Sequence, residues 1–268
     1  MTILDQIIMD KIKEVELRKT IFPPAYWEQS PMFGRETLSL AQRLKGSPSG
    51  IIAEHKRRSP SRDNINSNLS VHEVAQGYES AGVCGMSVLT DLKYFGGSLE
   101  DLTAARSVCD LPLLRKEFII DEYQVIEAKA HGADAILLIA AVLDRQQIKS
   151  LSETAQILGL EVLLEVHNSE ELQKGLMPSL DMLGVNNRNL KTFEVSLETS
   201  KKLANQIPDD FVKVSESGIS AVATIKALKP YGFQGFLIGE NFMKTEAPGP
   251  ALPEFINNCL LYTTPSPR

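Results

Sequence analysis

Residues 51–61 read Ile51-Ile52-Ala53-Glu54-His55-Lys56-Arg57-Arg58-Ser59-Pro60-Ser61. The apolar, β-branched start predicts a buried strand. Alternation along a strand sends Glu54 and Lys56 to the same face. A carboxylate and an ammonium aimed together from the end of a buried strand are costly unless they serve each other or a ligand. A polar loop follows, opening with two cations, Arg57 and Arg58. A strand that is apolar at its start and charged at its end, running into a loop that suits an anion, predicts the floor of a site.

The pattern repeats along the chain. Apolar runs bounded by turn signals cover 50–56, 85–91, 112–118, 135–141, 160–166, 182–187, 211–217 and 235–240. Amphipathic stretches of helical length, such as 71–81, 122–131, 145–158 and 196–206, lie between them. Helix-sized crossovers between continuous apolar strands imply parallel pairing. Eight such units in roughly 220 residues suit a closed (β/α)8 TIM barrel, whose usual size is about 250 residues. A doubly wound open sheet is the competitor, but no G-x-G-x-x-G follows the first strand. The fold expected is therefore α/β, a single TIM barrel over 1–260. Such a barrel gathers function at the C-terminal ends of its strands. Those ends carry Glu54 and Lys56, Asp91, Lys116 and Phe118, Glu165 and His167, Asn186 and Arg188, Ser215 to Ser217, and Gly239 with Glu240, whereas the N-terminal ends are Gly, Pro and aliphatic residues.

Ahead of the barrel, Thr2 with Asp5 three residues later has the form of a helix N-terminal cap. Leu4, Ile7, Ile8, Ile12 and Val15 then recur at helical spacing until Pro23-Pro24, which cannot continue a helix. A second short helical stretch near 39–45 precedes the break Gly46-Ser47-Pro48-Ser49-Gly50. Residues 1–45 are thus expected as an N-terminal helical extension. Three places are open to it: the barrel's base, the side of its mouth, or a second subunit. Residues 261–268 are expected as a disordered tail.

Composition narrows the class. The chain has 268 residues, 43% hydrophobic and 23% charged, which is ordinary for a globular protein with a sizeable core. A net charge of −6 offers no general surface for nucleic acid or anionic membrane. Cys84, Cys109 and Cys259 show neither metal-ligand nor disulfide spacing and read as small buried side chains. No apolar run is long enough to span a bilayer. Asp5, Asp10 and Glu14 do not suit a secretory signal, and none is expected in this stretch. A soluble, cytoplasmic protein is expected, monomeric or weakly homo-oligomeric.

Strand parity then selects candidate residues. Leu114, Lys116 and Phe118 share a face, so if Leu114 fills the barrel, Lys116 points into the mouth. One lysine there would simply pair with a carboxylate. Two, Lys56 and Lys116, would repel, and repulsion lowers an ammonium pKa so that the proton is given and recovered. Leu163 and Glu165 share a face, making Glu165 a salt-bridge partner for Lys116, a general base, or both. His167 reads as a satisfied loop residue. The four histidines (His55, His72, His131, His167) show no ligand spacing, so no metal site is expected. Asn186 and Arg188 share parity, an amide and a planar cation suited to hydroxyl and carboxylate, although asparagines also form turns. Gly218 and Gly239 permit close backbone approach, where a phosphate is commonly held after the seventh and eighth strands. Phe95, Phe118, Leu137, Leu190 and Leu237 lie near the same rim and could flank a flat ring.

Taken in order, these residues resemble the indole-3-glycerol phosphate synthase family. The resemblance rests on Glu54-x-Lys56-x-x-Ser59-Pro60-Ser61, Leu89-Thr90-Asp91 with Phe95-Gly96-Gly97-Ser98, and Leu114-Arg115-Lys116-Glu117-Phe118. It continues through Leu164-Glu165-Val166-His167, Gly184-Val185-Asn186-Asn187-Arg188-Asn189-Leu190, Ser215-Glu216-Ser217-Gly218-Ile219 and Leu237-Ile238-Gly239-Glu240. It implies a carboxy-lyase of tryptophan biosynthesis that needs no cofactor. Its substrate would be 1-(2-carboxyphenylamino)-1-deoxyribulose 5-phosphate, closed to indole-3-glycerol phosphate with loss of CO₂ and water.

By the same resemblance, Lys116 is the general acid, Glu165 the base, and Lys56 with Glu54 polarise the condensing centre that Asn186 helps hold. Ser59 and Arg188 serve the carboxylate side, with Phe95, Phe118, Leu137, Leu190, Glu216 and Leu237 also binding substrate. Ser217, Gly218, Gly239 and Glu240 hold the phosphate, Glu240 through its backbone N–H. Two departures stand out: Arg62-Asp63-Asn64 replaces the usual Lys-Gly after Ser61, which is expected to alter loop motion, and 261–268 does not resemble the family's last helix. Two rival readings remain, a Schiff-base aldolase using Lys116 or Lys213, and a phosphate-ligand sensor without turnover.

Overall fold

Eight strands pair in parallel in chain order: β1 (Ile51–His55), β2 (Gly85–Leu89), β3 (Leu113–Lys116), β4 (Ala135–Ile139), β5 (Glu161–Val166), β6 (Met182–Asn186), β7 (Val212–Glu216) and β8 (Phe233–Ile238). In this computed structural model β8 pairs back onto β1 and closes the barrel, as the (β/α)8 reading requires. Residues 2–60, 64–66, 68–245 and 247–260 are described. Ser61, the departures at Arg62 and Asp63, and the tail 261–268 lie outside the described residues.

The helices in chain order are α1 (Ile3–Ile21), α2 (Pro24–Trp27), α3 (Leu40–Gly46), α4 (Val71–Ser80), α5 (Leu92–Phe95), α6 (Leu99–Arg106) and α7 (Glu122–Ala130). They continue with α8 (Arg145–Ile157), α9 (Ser169–Gly175), α10 (Glu198–Ala204), α11 (Val222–Leu228), α12 (Glu240–Met243) and α13 (Pro248–Leu260).

Every residue of β1, β2 and β4 is buried, which is why these strands read as continuous apolar runs rather than alternating ones. Alternate residues still part company. Ile52, Leu114, Leu137, Leu163, Met182, Val212, Val214 and Leu237 pack inside the barrel. Ile51, Ala53, Met86, Val88, Leu113 and Ile136 pack outward, in one cluster with Val74 of α4, Leu102 of α6 and Ile148 of α8. The last strand begins and ends two residues earlier than the sequence reading placed it. Gly232, at φ +87°, ends a 3-10 turn over Lys229–Tyr231 and releases the chain into the strand at Phe233.

The extension occupies both ends of the barrel. α1 begins with a capping box, in which Thr2 Oγ1 accepts from Asp5 N–H and the Asp5 carboxylate accepts from Thr2 N–H. Ile3, Leu4 and Ile7 face the cavity at the C-terminal mouth. Lys11 is only 2% exposed, with its Nζ 2.9 Å from Asp91 Oδ2 beyond β2, 3.2 Å from Glu117 Oε1 beyond β3 and 2.8 Å from Glu14 Oε2. The chain then descends along α7, where Arg18 pairs with Glu127 and Trp27 Nε1–H donates to Tyr123 Oη.

At the base, fully buried Asp134 accepts from Arg35, Arg106, and the N–H groups of Leu38 and Leu113. Leu40 and Leu44 of α3 plug the inner core from below. A side chain at Gly85 would meet Leu40 Cδ1 at 2.6 Å, so glycine there makes room for the plug. Of the three places open to the extension, the structure takes two, the mouth for α1 and the base for α3. Cys84, Cys109 and Cys259 are all free and buried.

Burial alone would pull the Lys11 ammonium down, but the charges of Glu117 and Asp91 outweigh it and raise its pKa. Removing the cation while keeping its bulk strands buried carboxylates. Lys11→Met should therefore cost about 3–5 kcal/mol of stability, the usual penalty for breaking a buried ion pair. Urea unfolding at neutral pH measures it.

Candidate active site

At the C-terminal ends of the strands lies a cavity of about 420 Å³. Its wall takes in every residue that the family resemblance assigned to the site: Glu54, Lys56, Ser59, Phe95, Lys116, Phe118, Leu137, Glu165, Asn186, Arg188, Leu190, Glu216, Ser217, Gly218, Leu237, Gly239 and Glu240. Strand parity explains the convergence, because Ile52, Leu114, Leu163 and Val214 fill the barrel two residues before Glu54, Lys116, Glu165 and Glu216.

The centre is ionic. Lys116 Nζ sits 3.1 Å from Glu165 Oε2 and 3.1 Å from Glu216 Oε2. Beside it, Lys56 Nζ lies 3.0 Å from Glu54 Oε1, and Ser87 Oγ donates to Glu54 Oε2 at 3.3 Å. The two lysines therefore do not act mainly on each other, and the expected depression of an ammonium pKa is corrected. Burial would lower the Lys116 ammonium, yet Glu165, Glu216 and Glu54 together raise it well above the ordinary lysine range.

The two carboxylates are not equivalent. Burial pushes both upward, but at Glu165 the charges of Lys116 and His167 and a hydrogen bond from Asn186 prevail and hold it down. At Glu216 burial and the charges of Glu165 and Glu54 win over Lys116 and push the carboxyl up to about 7. Glu216 Oε1 is buried with no hydrogen-bond partner among the described residues, which is where a proton is best accommodated. Two glycines make space for these carboxylates: a Cβ at Gly184 would lie 2.3 Å from Glu216 Oε1, and one at Gly239 would lie 2.6 Å from Glu54 Oε1.

An apolar side faces this centre. The Phe95 and Phe118 rings stand 5.9 Å apart, centroid to centroid, and Leu190, Leu137 and Leu237 extend the wall. Across the mouth, Ser217 and Gly218 take successive left-handed conformations, φ +65° and +76°, turning the backbone at the rim. Arg188 Nη1 donates to Phe193 O at 3.2 Å, and Asn186 Oδ1 accepts from Arg188 N–H at 3.0 Å. Of the asparagine run, Asn189 takes the turn role that the sequence left open, while Asn187 takes neither of the two and braces a neighbouring strand. Asn187 holds the end of β7 through Ser215 Oγ, Glu216 O and Ser217 O, while Asn189 caps a turn by accepting from Lys191 and Thr192.

Some expectations move. Arg57 and Arg58 do not line the cavity: Arg57 grips Asp101 with both Nη atoms and Gly96 O, and Arg58 donates to Leu92 O and Lys93 O. Among the described residues they brace the loop after β2. Lys213, a candidate for Schiff-base chemistry, bonds Ala204 O and Asp209 near the start of β7, away from the mouth. The sequence reading missed the Glu216–Lys116 contact, the His167 contact to Glu165, and Ile3, Leu4 and Ile7 of α1. Parity was the available signal for Glu216 and His167; nothing in the sequence pointed α1 at the mouth. Among the described residues no cluster of His, Cys, Asp and Glu is arranged to hold a metal ion. No helix among them is long and apolar enough to cross a membrane.

Comparison with known proteins bears on the same region of chain. A family model described as indole-3-glycerol phosphate synthase matches residues 4–254. A protein of that name from Bacteroides thetaiotaomicron is 48% identical over 254 residues, covering 95% of this chain and 97% of its own. One from Salinibacter ruber is 44% identical, covering 94% of each chain. Among solved structures, 3-hexulose-6-phosphate synthase from Salmonella typhimurium superposes with a TM-score of 0.63 over 80% of this chain and 99% of its own; at 15% identity this likeness concerns the fold alone.

The raised carboxyl at Glu216 has a stability consequence. The folded chain keeps that proton where the unfolded chain has lost it, so the contribution is present below the unfolded value of about 4.3 and vanishes as pH rises through about 7. Between about pH 5 and about pH 8 the urea midpoint of the wild type should fall relative to that of Glu216→Gln. Parallel curves for the two proteins would contradict the protonated Glu216.

Proposed function

The chain belongs to the indole-3-glycerol phosphate synthase family, and from that premise we propose how its barrel mouth carries out the reaction. The enzyme is a carboxy-lyase of tryptophan biosynthesis. It closes 1-(2-carboxyphenylamino)-1-deoxyribulose 5-phosphate to indole-3-glycerol phosphate, releasing CO₂ and water. The single observation that carries the assignment of roles is the ammonium of Lys116 held between Glu165 and Glu216.

Lys116 acts as general acid. Its proton goes to the ketose carbonyl oxygen as the ring carbon bearing the carboxylate attacks the carbonyl carbon. Loss of CO₂ restores the aromatic ring, and the new hydroxyl then departs as water with a second proton. Glu165, held ionised, is the base that accepts the proton lost as the indole double bond forms. A cation gripped by carboxylates is always loaded at neutral pH but gives up its proton reluctantly. Glu216, 3.1 Å from the same nitrogen and titrating near neutrality, is suited to return it.

The Lys56–Glu54 pair polarises and orients the condensing centre, with Asn186 helping to hold it. The substrate's flat ring lies against Phe95, Phe118 and Leu190, over Leu137 and Leu237, and its carboxylate faces Ser59 and Arg188. Ser217, Gly218, Gly239 and Glu240 hold the phosphate at the far rim, with the glycines admitting oxygen close to the backbone. Ile3, Leu4 and Ile7 close the apolar side from α1. The enzyme acts on this free small molecule in the cytoplasm, as a monomer or weak homo-oligomer, without nucleic acid, membrane or cofactor. A Schiff base would need an uncharged lysine amine, which the carboxylates around Lys116 oppose.

Incubation with the substrate should give indole fluorescence, and folded protein that makes no product would contradict the reading. Lys116→Ala should lower kcat by about 10²–10⁴-fold, the range of one acid–base group, while binding of the phosphorylated product stays measurable. Borohydride should trap no lysine adduct. An active Lys116→Ala enzyme would remove the general-acid role.

A further inference from the structure

His167 follows β5 and shares parity with Glu165, and its imidazole lies beside the base, at the carboxylate oxygen opposite the one that Lys116 contacts. Its Nε2 is 3.4 Å from Glu165 Oε1, and its Nδ1 is 3.0 Å from Glu171 Oε2. Glu171, in α9, is itself fixed. The same Oε2 accepts from His167 N–H at 2.8 Å, its Oε1 accepts from Asn168 Nδ2 at 2.7 Å, and its own N–H donates to the Asn168 Oδ1 that caps α9. A ring nitrogen facing a fixed carboxylate carries its hydrogen, so Nδ1 is the donor in either protonation state. What varies is Nε2. It is buried and makes no hydrogen bond among the described residues, but stands at ion-pair distance from Glu165 Oε1. Bare, it turns a lone pair on a carboxylate oxygen; protonated, it turns an N–H on it.

We propose that His167 is a positioning residue for Glu165: as an imidazolium anchored by Glu171, it grips the carboxylate oxygen that Lys116 leaves open and holds the base in working orientation. The proposal rests on the reading of Glu165 as the base. With both oxygens of Glu165 directed, one to Lys116 and one to His167, the carboxylate is restrained against rotation about its last bond. Orientation of that kind is what a bound substrate needs from a base.

The groups facing the imidazole fix its charge. They are Glu165 from β5, Glu171 from α9 and, from further across the mouth, Glu216 of β7, with Lys116 of β3 on the opposite oxygen of Glu165. Paired alongside this end of β5 are Ile139 of β4 and Gly184 and Val185 of β6, none of which titrates. Burial pulls the imidazole down, but Glu171, Glu165 and Glu216 prevail and raise it. The charged ring therefore persists to higher pH than an ordinary imidazole does, and the grip on Glu165 is lost where its proton leaves.

The test pairs kcat/KM–pH profiles with NMR titration of the His167 ring in the free protein. In the wild type, the alkaline fall in kcat/KM should coincide with the ring's titration. Glu171→Gln keeps an oxygen to accept from His167 N–H but removes the charge, and should move both ring titration and alkaline limb down by about one pH unit. His167→Asn should abolish that limb and lower kcat more than it raises KM. A profile of His167→Asn that superimposes on the wild type, or a Glu171→Gln limb that does not move, overturns the proposal. Glu165→Gln separates the two readings: turnover retained there would overturn the assignment of the base, whereas an inactive Glu165→Gln beside an unchanged His167→Asn profile would overturn only the role of His167.

Discussion

One part-buried ammonium organises this molecule. Lys116 projects from the end of β3 into a low-dielectric mouth, where an unpaired charge would be prohibitively costly. Glu165 and Glu216 reach it from β5 and β7, each at 3.1 Å. Two full negative charges on one cation, with Glu54 close by, exceed what the site can hold ionised, and the excess is relieved by a proton on Glu216. The outcome is one ionised carboxylate, one carboxyl near neutrality and one loaded ammonium in mutual contact. Those are the elements of proton exchange, set up by electrostatics before any substrate arrives.

Holding that arrangement needs rigid strand ends, and much of the chain outside the barrel serves it. Lys11 of α1 ties together Asp91 and Glu117, the residues that follow β2 and β3. Glu117 is the immediate neighbour of Lys116, so a helix laid over the mouth also fixes the strand end carrying the acid. At the opposite end, Leu40 and Leu44 fill the base, and Asp134 secures the connecting segment. The N-terminal extension is thus bound to the barrel at two points about a barrel's height apart, which joins the stability of the fold to the geometry of the site.

Much of this was legible from residue types and a period of two. Runs of buried aliphatics separated by helix-length stretches gave the barrel, and parity gave the inward faces of Glu54, Lys116, Glu165 and Asn186. Parity reports a face but not a position around the ring, which depends on strand tilt and stagger. For that reason Glu216 could be placed in the mouth but not against Lys116, and the mutual repulsion expected of Lys56 and Lys116 gave way to separate carboxylate partners. Arg57 and Arg58 were misread for a related reason. Arg57's partner Asp101 lies 44 residues away, and a guanidinium's nearest carboxylate cannot be found along the chain. The position of α1 was open because an apolar stripe states that a helix packs, not where.

The charge state of Lys116 is the claim on which the rest depends, and it can be observed directly. Heteronuclear NMR of lysine side-chain ammonium groups, with the Lys116 signal assigned by its absence in Lys116→Met, would follow that nitrogen through an alkaline titration. Its ammonium signal should persist after the exposed lysines have titrated at about pH 10.4. A Lys116 signal that titrates ahead of the exposed lysines would contradict the ion triad and the proton chemistry built on it.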